Sequence, residues 1–347
     1  MPPESILLSA FAALTLAFAL VFAPRAVSRR SLAVRGGVGL GAIIAIAVVP
    51  NLDLALLVLL AIGVVDAASA GARGFGARLR APVLAVGLLT LAGLLARAEG
   101  PDVLARFAAV GLGAGLAAAV GVMPYLHPVE PDRSQPWSST AWLAFIGPVL
   151  AVVLVARGEN LLGPDAGGVF GAILIGIGLL NVAWGGVAAW LTDDVDAAWR
   201  YSFIADWGLV LCGLGLTIVD GRRAALLLLF TIVVGRLPLY VASRLAGREK
   251  TVTERPINLV VAASLAGAAP FAGFAARILL LRSATQLAWP LALVLALGML
   301  LWLPGSYRLG QSLGLPRGRT AAGILIVLAL NIVVGLYPLP ILGVARL

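Results

Sequence analysis

Apolar runs of about 17–25 residues, each long enough to cross a bilayer as a helix, recur along the chain between short polar stretches. They fall near residues 5–24, 35–50, 53–70, 81–97, 102–123, 138–156, 166–191, 202–219, 224–243, 257–281, 286–304 and 320–344. The pattern predicts an all-α polytopic membrane protein of about twelve transmembrane helices, the second of them short. The longest polar connections, Met123–Trp137 and Ser243–Pro256, are about a dozen residues each, too short to fold alone. The first, MPYLHPVEPDRSQPW, is rich in proline and predicts an extended, structured loop.

The tenth run is interrupted. Between Ser264 and Arg277 it reads SLAGAAPFAGFAAR. Pro270 removes a backbone donor, and Gly267 and Gly273 on either side loosen the helix. In lipid such a break survives only where protein or trapped water satisfies the freed carbonyls. A cation one turn beyond it, Arg277, is costly in hydrocarbon, so it marks either a transport pathway or an interhelical lock.

Composition narrows the class further. Hydrophobic residues make up 61% of the 347, charged residues 12%, and mean hydropathy is +1.04. A soluble protein carries about 25% charged residues. The net charge of +9 would suggest a nucleic-acid partner in a soluble protein, but its distribution gives a simpler cause. Sixteen of the 25 basic residues, Arg25, Arg30, Arg133 and Arg248 among them, fall in loops on one side. The positive-inside rule makes that side cytoplasmic and puts both termini outside. The run from Ile6 to Phe22 is too long for a usual signal-peptide core, lacks a preceding basic residue, and reads as the first membrane helix. Cys212 is the single cysteine, so the sequence offers no intrachain disulfide and no cysteine cluster for a metal.

Small-residue runs such as GLGAGLAAAVG at 111–121 and GAILIGIG at 171–178 predict close helix packing. With no strand before them, they are not dinucleotide sites. The three acids in LTDDVDAAWR, ahead of Tyr201, read as a solvated end of the seventh helix. Trp184, Trp190, Trp199 and Trp207 read as interface and packing aromatics.

Four stretches carry a family resemblance. MPYLHP at 123–128 leads into STAWLAFIGPVLAVVLVAR at 139–157, and GIGLLNVAWGGVAAWLTDDVDAAWRYSFIADWGLVLCGLGL spans 176–216. RRAALLLLFTIVVG follows at 222–235, and SLAGAAPFAGFAARILLLRSA at 264–284. In this order they resemble the antiporter-like membrane subunits of respiratory complex I (NADH-quinone oxidoreductase), Mrp cation/proton antiporters and membrane-bound hydrogenases. Tyr201, Ser202, Ile204, Ala205 and Gly208 match a family motif in place. The resemblance spans about residues 110–310. It implies an inverted-repeat bundle with a proline-broken helix. Residues 1–100 would be N-terminal helices of weak match, 101–310 an antiporter-like core, and 311–347 a C-terminal helix. Set against the family, the resemblance also implies a chain about two helices short at its N-terminal end.

The departures bear on mechanism. The family is described as moving protons along a mid-membrane line of Glu and Lys, where burial and neighbouring charge tune a lysine. Here the lysine positions fall at Ala119 (or Val120), at Pro148 or Val149, and at Leu226. In the first four helices the only Glu is Glu4, at the extreme N-terminus. The last position keeps a charge, as Arg277, but a guanidinium does not cycle its proton. Asp206 is the best carboxylate partner for a buried cation, or it lies near the cytoplasmic interface and is hydrated. Arg236, between Gly235 and Pro238, sits where its helix bends or snorkels from a helix end. His127 serves loop packing or proton exchange.

The resemblance therefore implies an antiporter-like membrane subunit of an energy-converting complex, a complex I-like quinone reductase or a hydrogenase. Its role would be structural or coupling, within an electron-transport or ion-transport assembly. The alternative is an autonomous secondary transporter of an ion or anionic solute, holding it with Arg236 and Arg277 at broken-helix ends. A membrane enzyme acting on lipid is disfavoured by the single His. Catalysis would reside in partner subunits, so the chain is at most a non-catalytic subunit of a proton-translocating NADH-quinone oxidoreductase-like complex. No flavin, haem, metal or quinone constellation occurs, and no cofactor is expected. Expected partners are other membrane subunits, the lipid bilayer and a quinone held in a partner subunit, with no nucleic acid. The expected location is a bacterial or archaeal cytoplasmic membrane.

Overall fold

Helices form in part of every apolar stretch named above. The computed structural model describes residues 3–22, 29–69, 71–98, 102–126, 142–245, 256–314 and 318–344, and among these there is no strand. The first five helices are α1 (Pro3–Phe22), α2 (Arg29–Val48), α3 (Leu52–Ser69), α4 (Gly71–Arg97) and α5 (Asp102–Val120). Helix α6 opens with a π-helical turn at Trp142–Ile146 and continues over Gly147–Glu159, followed by α7 (Pro164–Leu191) and α8 (Val195–Gly215). Helix α9 runs through Val219–Phe230, a π-helical turn at Thr231–Arg236, and Leu237–Leu245. Then come α10 (Pro256–Ala266), α11 (Ala272–Leu287), α12 (Trp289–Leu301 and Leu303–Gln311), α13 (Gly318–Leu336) and a short α14 (Leu339–Leu342).

Seven of the described helices are long and apolar enough to cross a membrane. Exposed Leu57, Leu94, Phe107, Leu191, Leu300 and Leu336 line the outer surface, which suits contact with acyl chains and makes the chain an integral membrane protein.

Several helix starts differ from the sequence pattern, and two of them have a visible local setting. Helix α8 begins at Val195 rather than 202, because the Asp194 side chain accepts the Asp196 N–H at 3.2 Å and caps it. The acids ahead of Tyr201 thus begin α8 rather than end α7. Helix α4 begins at Gly71 rather than 81 and keeps Pro82 inside it, where Gly63 of α3 leaves room. A Cβ at Gly63 would lie 2.5 Å from Pro82 Cβ.

The interior is built on close backbone approach. Helices α7 and α8 pack along glycines: a Cβ on Gly178 would stand 2.6 Å from the Gly208 carbonyl oxygen, and one on Gly208 2.5 Å from that of Gly178. Trp199 and Trp207 are fully buried, whereas Trp184 and Trp190 face outward. Helix α9 is the most enclosed of the seven spans. Its π-helical turn spreads the backbone ladder, and Thr15 of α1 donates to the Val233 carbonyl there at 3.0 Å.

Two breaks share one backbone device. After α5, Gly121 adopts φ 89° and the Met123–Pro124 bond is cis; after α10, Gly267 adopts φ 66° and the Ala269–Pro270 bond is cis. Both read Gly-x-x-Pro. A left-handed residue closes a helix end, and glycine takes that conformation without a Cβ clash.

Candidate functional site at the broken helix

An α-helix ends with four carbonyls that have no donor within it. In α10 these belong to Ala263, Ser264, Leu265 and Ala266, and each finds one. The cap at Gly267 supplies two: Ala268 N donates to Ala263 O at 2.9 Å, and Gly267 N to Ser264 O at 3.1 Å. Leu265 O receives Arg236 Nη2 at 2.6 Å and Trp302 Nε1 at 3.0 Å. Ala266 O receives Arg277 Nη1. The two guanidinium groups thus sit at the negative end of the half-helix dipole, where cations are favoured.

Arg236 is held on every side. Its Nε lies 2.5 Å from Asp206 Oδ2, and its Nη1 donates to Ser202 Oγ at 3.0 Å. Its Cζ stands 4.9 Å from the centroid of the Trp302 ring. Asp206 and Arg236 are 3% and 4% exposed. Both side chains are therefore enclosed by protein. The reason is geometric: α8 brings Ser202 and Asp206 onto one face, four residues apart, against the π-helical turn that carries Arg236. Removing one member of such a buried pair costs about 3–5 kcal/mol, because the other is left uncompensated.

Arg277 is 8% exposed and lies on α11, one turn past the break. Gly267 makes room for it: a Cβ there would fall 2.6 Å from Arg277 Cζ. A cavity of about 20 Å³, enough for about one water-sized occupant, lies between the charges. Gly267, Gly273, Asp206, Arg236 and Arg277 all border it, as do Ser264, Thr231 and Asn331. The structure thus gathers three charged candidates from three helices around the break.

The chain matches no family model. Over 190 residues it is 29% identical to NADH-quinone oxidoreductase subunit N of Gluconacetobacter diazotrophicus, covering 49% of this chain and 39% of that one. Its fold resembles a chain of the Mrp complex from a Dietzia species, with TM-score 0.79 and 15% identity, covering 99% of this chain and 44% of that one. Respiratory complex I from Thermus thermophilus gives TM-score 0.72 and 16% identity, covering 100% of this chain and 84% of its match. The archaeal membrane-bound sulfane sulfur reductase gives 0.70 and 16%, covering 99% and 80%. The fold is shared with chains of these three membrane complexes. The chain spans less than half the length of the first two proteins it matches.

Within this shared fold the other candidate positions are distributed as follows. His127 lies outside the described residues. Tyr201 packs against the core, Ser202 accepts from Arg236, and Gly208 permits the α7–α8 approach. Ala119, Val149 and Leu226, where the family resemblance places lysines, are buried and apolar.

Sequence reasoning missed Asn181, Trp302, Thr231 and Asn331. Asn181 is fully buried on α7 and clamps the first break, accepting Met123 N at 2.9 Å and donating to Met123 O at 3.2 Å. Its only signal in the sequence is one amide inside an apolar run.

Proposed function

We propose that this chain is an antiporter-like membrane subunit of a larger energy-converting complex. In this reading it supplies structure or coupling rather than an intact lysine-type proton relay. The carrying observation is that the two membrane-embedded cations cap the α10 terminus, one of them paired with Asp206. A guanidinium in that role holds helices together and keeps its proton. The apolar residues at Ala119, Val149 and Leu226 favour the same reading.

The fold likeness to subunits of the Mrp complex, complex I and the sulfane sulfur reductase suggests the class of assembly. Other membrane subunits are then the partners, in contact with lipid and with any quinone bound in a neighbouring subunit. Residues 101–310 form the antiporter-like core, flanked by N-terminal helices in 1–100 and a C-terminal helix in 311–347. The bias of arginine among the loops supports a bacterial or archaeal cytoplasmic membrane location with both termini outside.

Gentle purification of the tagged chain from its native membrane tests the proposal. The expected result is stoichiometric recovery of further membrane subunits. A monodisperse solitary protein that exchanges ions in liposomes would overturn it and favour the autonomous transporter.

A further inference from the structure

The charges around the α10–α11 break do not balance. Two guanidinium groups, Arg236 and Arg277, meet one carboxylate, Asp206, which pairs directly with Arg236 and attracts Arg277 only from beyond contact distance. Among the described residues no second carboxylate borders the cavity. Arg277 Nη1 is committed to the Ala266 carbonyl, but its Nε is buried and has no hydrogen-bond partner among the described residues. An unpaired cation in a low-dielectric interior is strongly unfavourable, and such charges are met by a counter-charge with hydrogen bonds. The carbonyl dipole of α10 offsets about half an elementary charge, and two cations share it.

We propose that the cavity beside Arg277 is a binding site for one small monovalent inorganic anion of halide size. The volume of about 20 Å³ is that of about one water-sized occupant, so a small ion suits the space better than a large one. Arg277 borders the space and supplies the positive charge. Ser264 and Asn331 border the same space and carry further N–H or O–H groups, although Asn331 Nδ2 spends one donor on Val327 O at 3.0 Å. Thr231 spends its hydroxyl proton on Leu228 O at 2.7 Å and contributes no donor. Asp206 also borders the cavity and repels an anion; its charge is neutralised locally by Arg236 at 2.5 Å. The bound ion completes the lock by giving Arg277 a counter-charge in contact, as Asp206 gives Arg236. The site stands on this charge count, whatever complex the chain enters.

The test is thermal unfolding of the full-length chain, or of its complex, in chloride, in bromide and in gluconate at matched ionic strength. Occupancy by a small anion raises the midpoint by about 2–4 °C in chloride and bromide over gluconate. Arg277→Gln abolishes the difference. Should that variant fail to fold, Arg277→Lys, which keeps the charge but not the guanidinium, shrinks the difference. A crystal grown in bromide gives an anomalous peak within hydrogen-bond reach of Arg277. Equal midpoints with no bromide peak mean that the cavity holds water only, which overturns the proposal. A halide effect that persists undiminished in both Arg277 variants places the anion elsewhere and overturns it equally.

Discussion

After α5 the backbone turns at Gly121, φ 89°, and reaches a cis bond at Pro124; after α10 it turns at Gly267, φ 66°, and reaches a cis bond at Pro270. What surrounds the two turns differs. At the first, Ala117 O takes both Gly121 N and Val122 N, at 2.9 and 3.0 Å. Trp142 Nε1 donates to Ala119 O at 3.1 Å, and the Asn181 amide grips Met123. Those donors are neutral. At the second, two guanidinium groups and an indole close the terminus, and a carboxylate answers one of them. One backbone device can therefore be stabilised by dipoles alone or by embedded ions. Among the described residues, the first arrangement uses no charged group. The second introduces charges whose removal one at a time is expensive.

The sharpest way to break this contrast is to remove one polar partner from each turn and compare unfolding in detergent. Asp206→Ala strands Arg236 and is expected to cost about 3–5 kcal/mol. Asn181→Ala is expected to cost about 1–3 kcal/mol, since it leaves only neutral groups unpaired, and Met123 is half-exposed. Equal losses would show that the ions carry no special weight. A smaller effect comes from the glycines. Gly267→Ala and Gly121→Ala both force a side chain into the left-handed region, at about 1–2 kcal/mol. Only the former is known to meet a guanidinium, so it should lose more, and the gap should close in an Arg277→Ala background. The smallest effect is expected at the indoles. Trp142→Phe and Trp302→Phe should each cost about 0.5–1.5 kcal/mol. Similar values would place the difference between the turns in the ions, whereas a much larger loss at Trp302 would place it in the ring over Arg236.

The second turn was legible in the sequence because its parts are contiguous: Gly267, Pro270, Gly273 and Arg277 stand within one short stretch. The partners were not, because they come from elsewhere in the chain. Ser202 and Asp206 sit on α8 and Arg236 on α9, and a single sequence does not say which faces meet. Asp206 reads equally as a hydrated residue near a helix start until α8 is found to begin at Val195, which carries Asp206 three turns inward. The π-helical turn that aims Arg236 has no sequence signature beyond the neighbouring Gly235 and Pro238. Apolar runs located the helices well, because period and length suffice for that. Asn181 escaped because a clamp and an incidental buried amide look alike until the carbonyl and N–H they serve are known.

The Leu265 carbonyl accepts donors from α9 and from α12 at once, 2.6 and 3.0 Å away. In mechanical terms this one oxygen is a joint in which three helices meet. Sliding α10 along its axis by one residue, about 1.5 Å, would either tear both bonds or drag Arg236 off Asp206. The half-helix is therefore no free piston: an axial thrust on α10 passes directly to α9, through it to α8, and to α12.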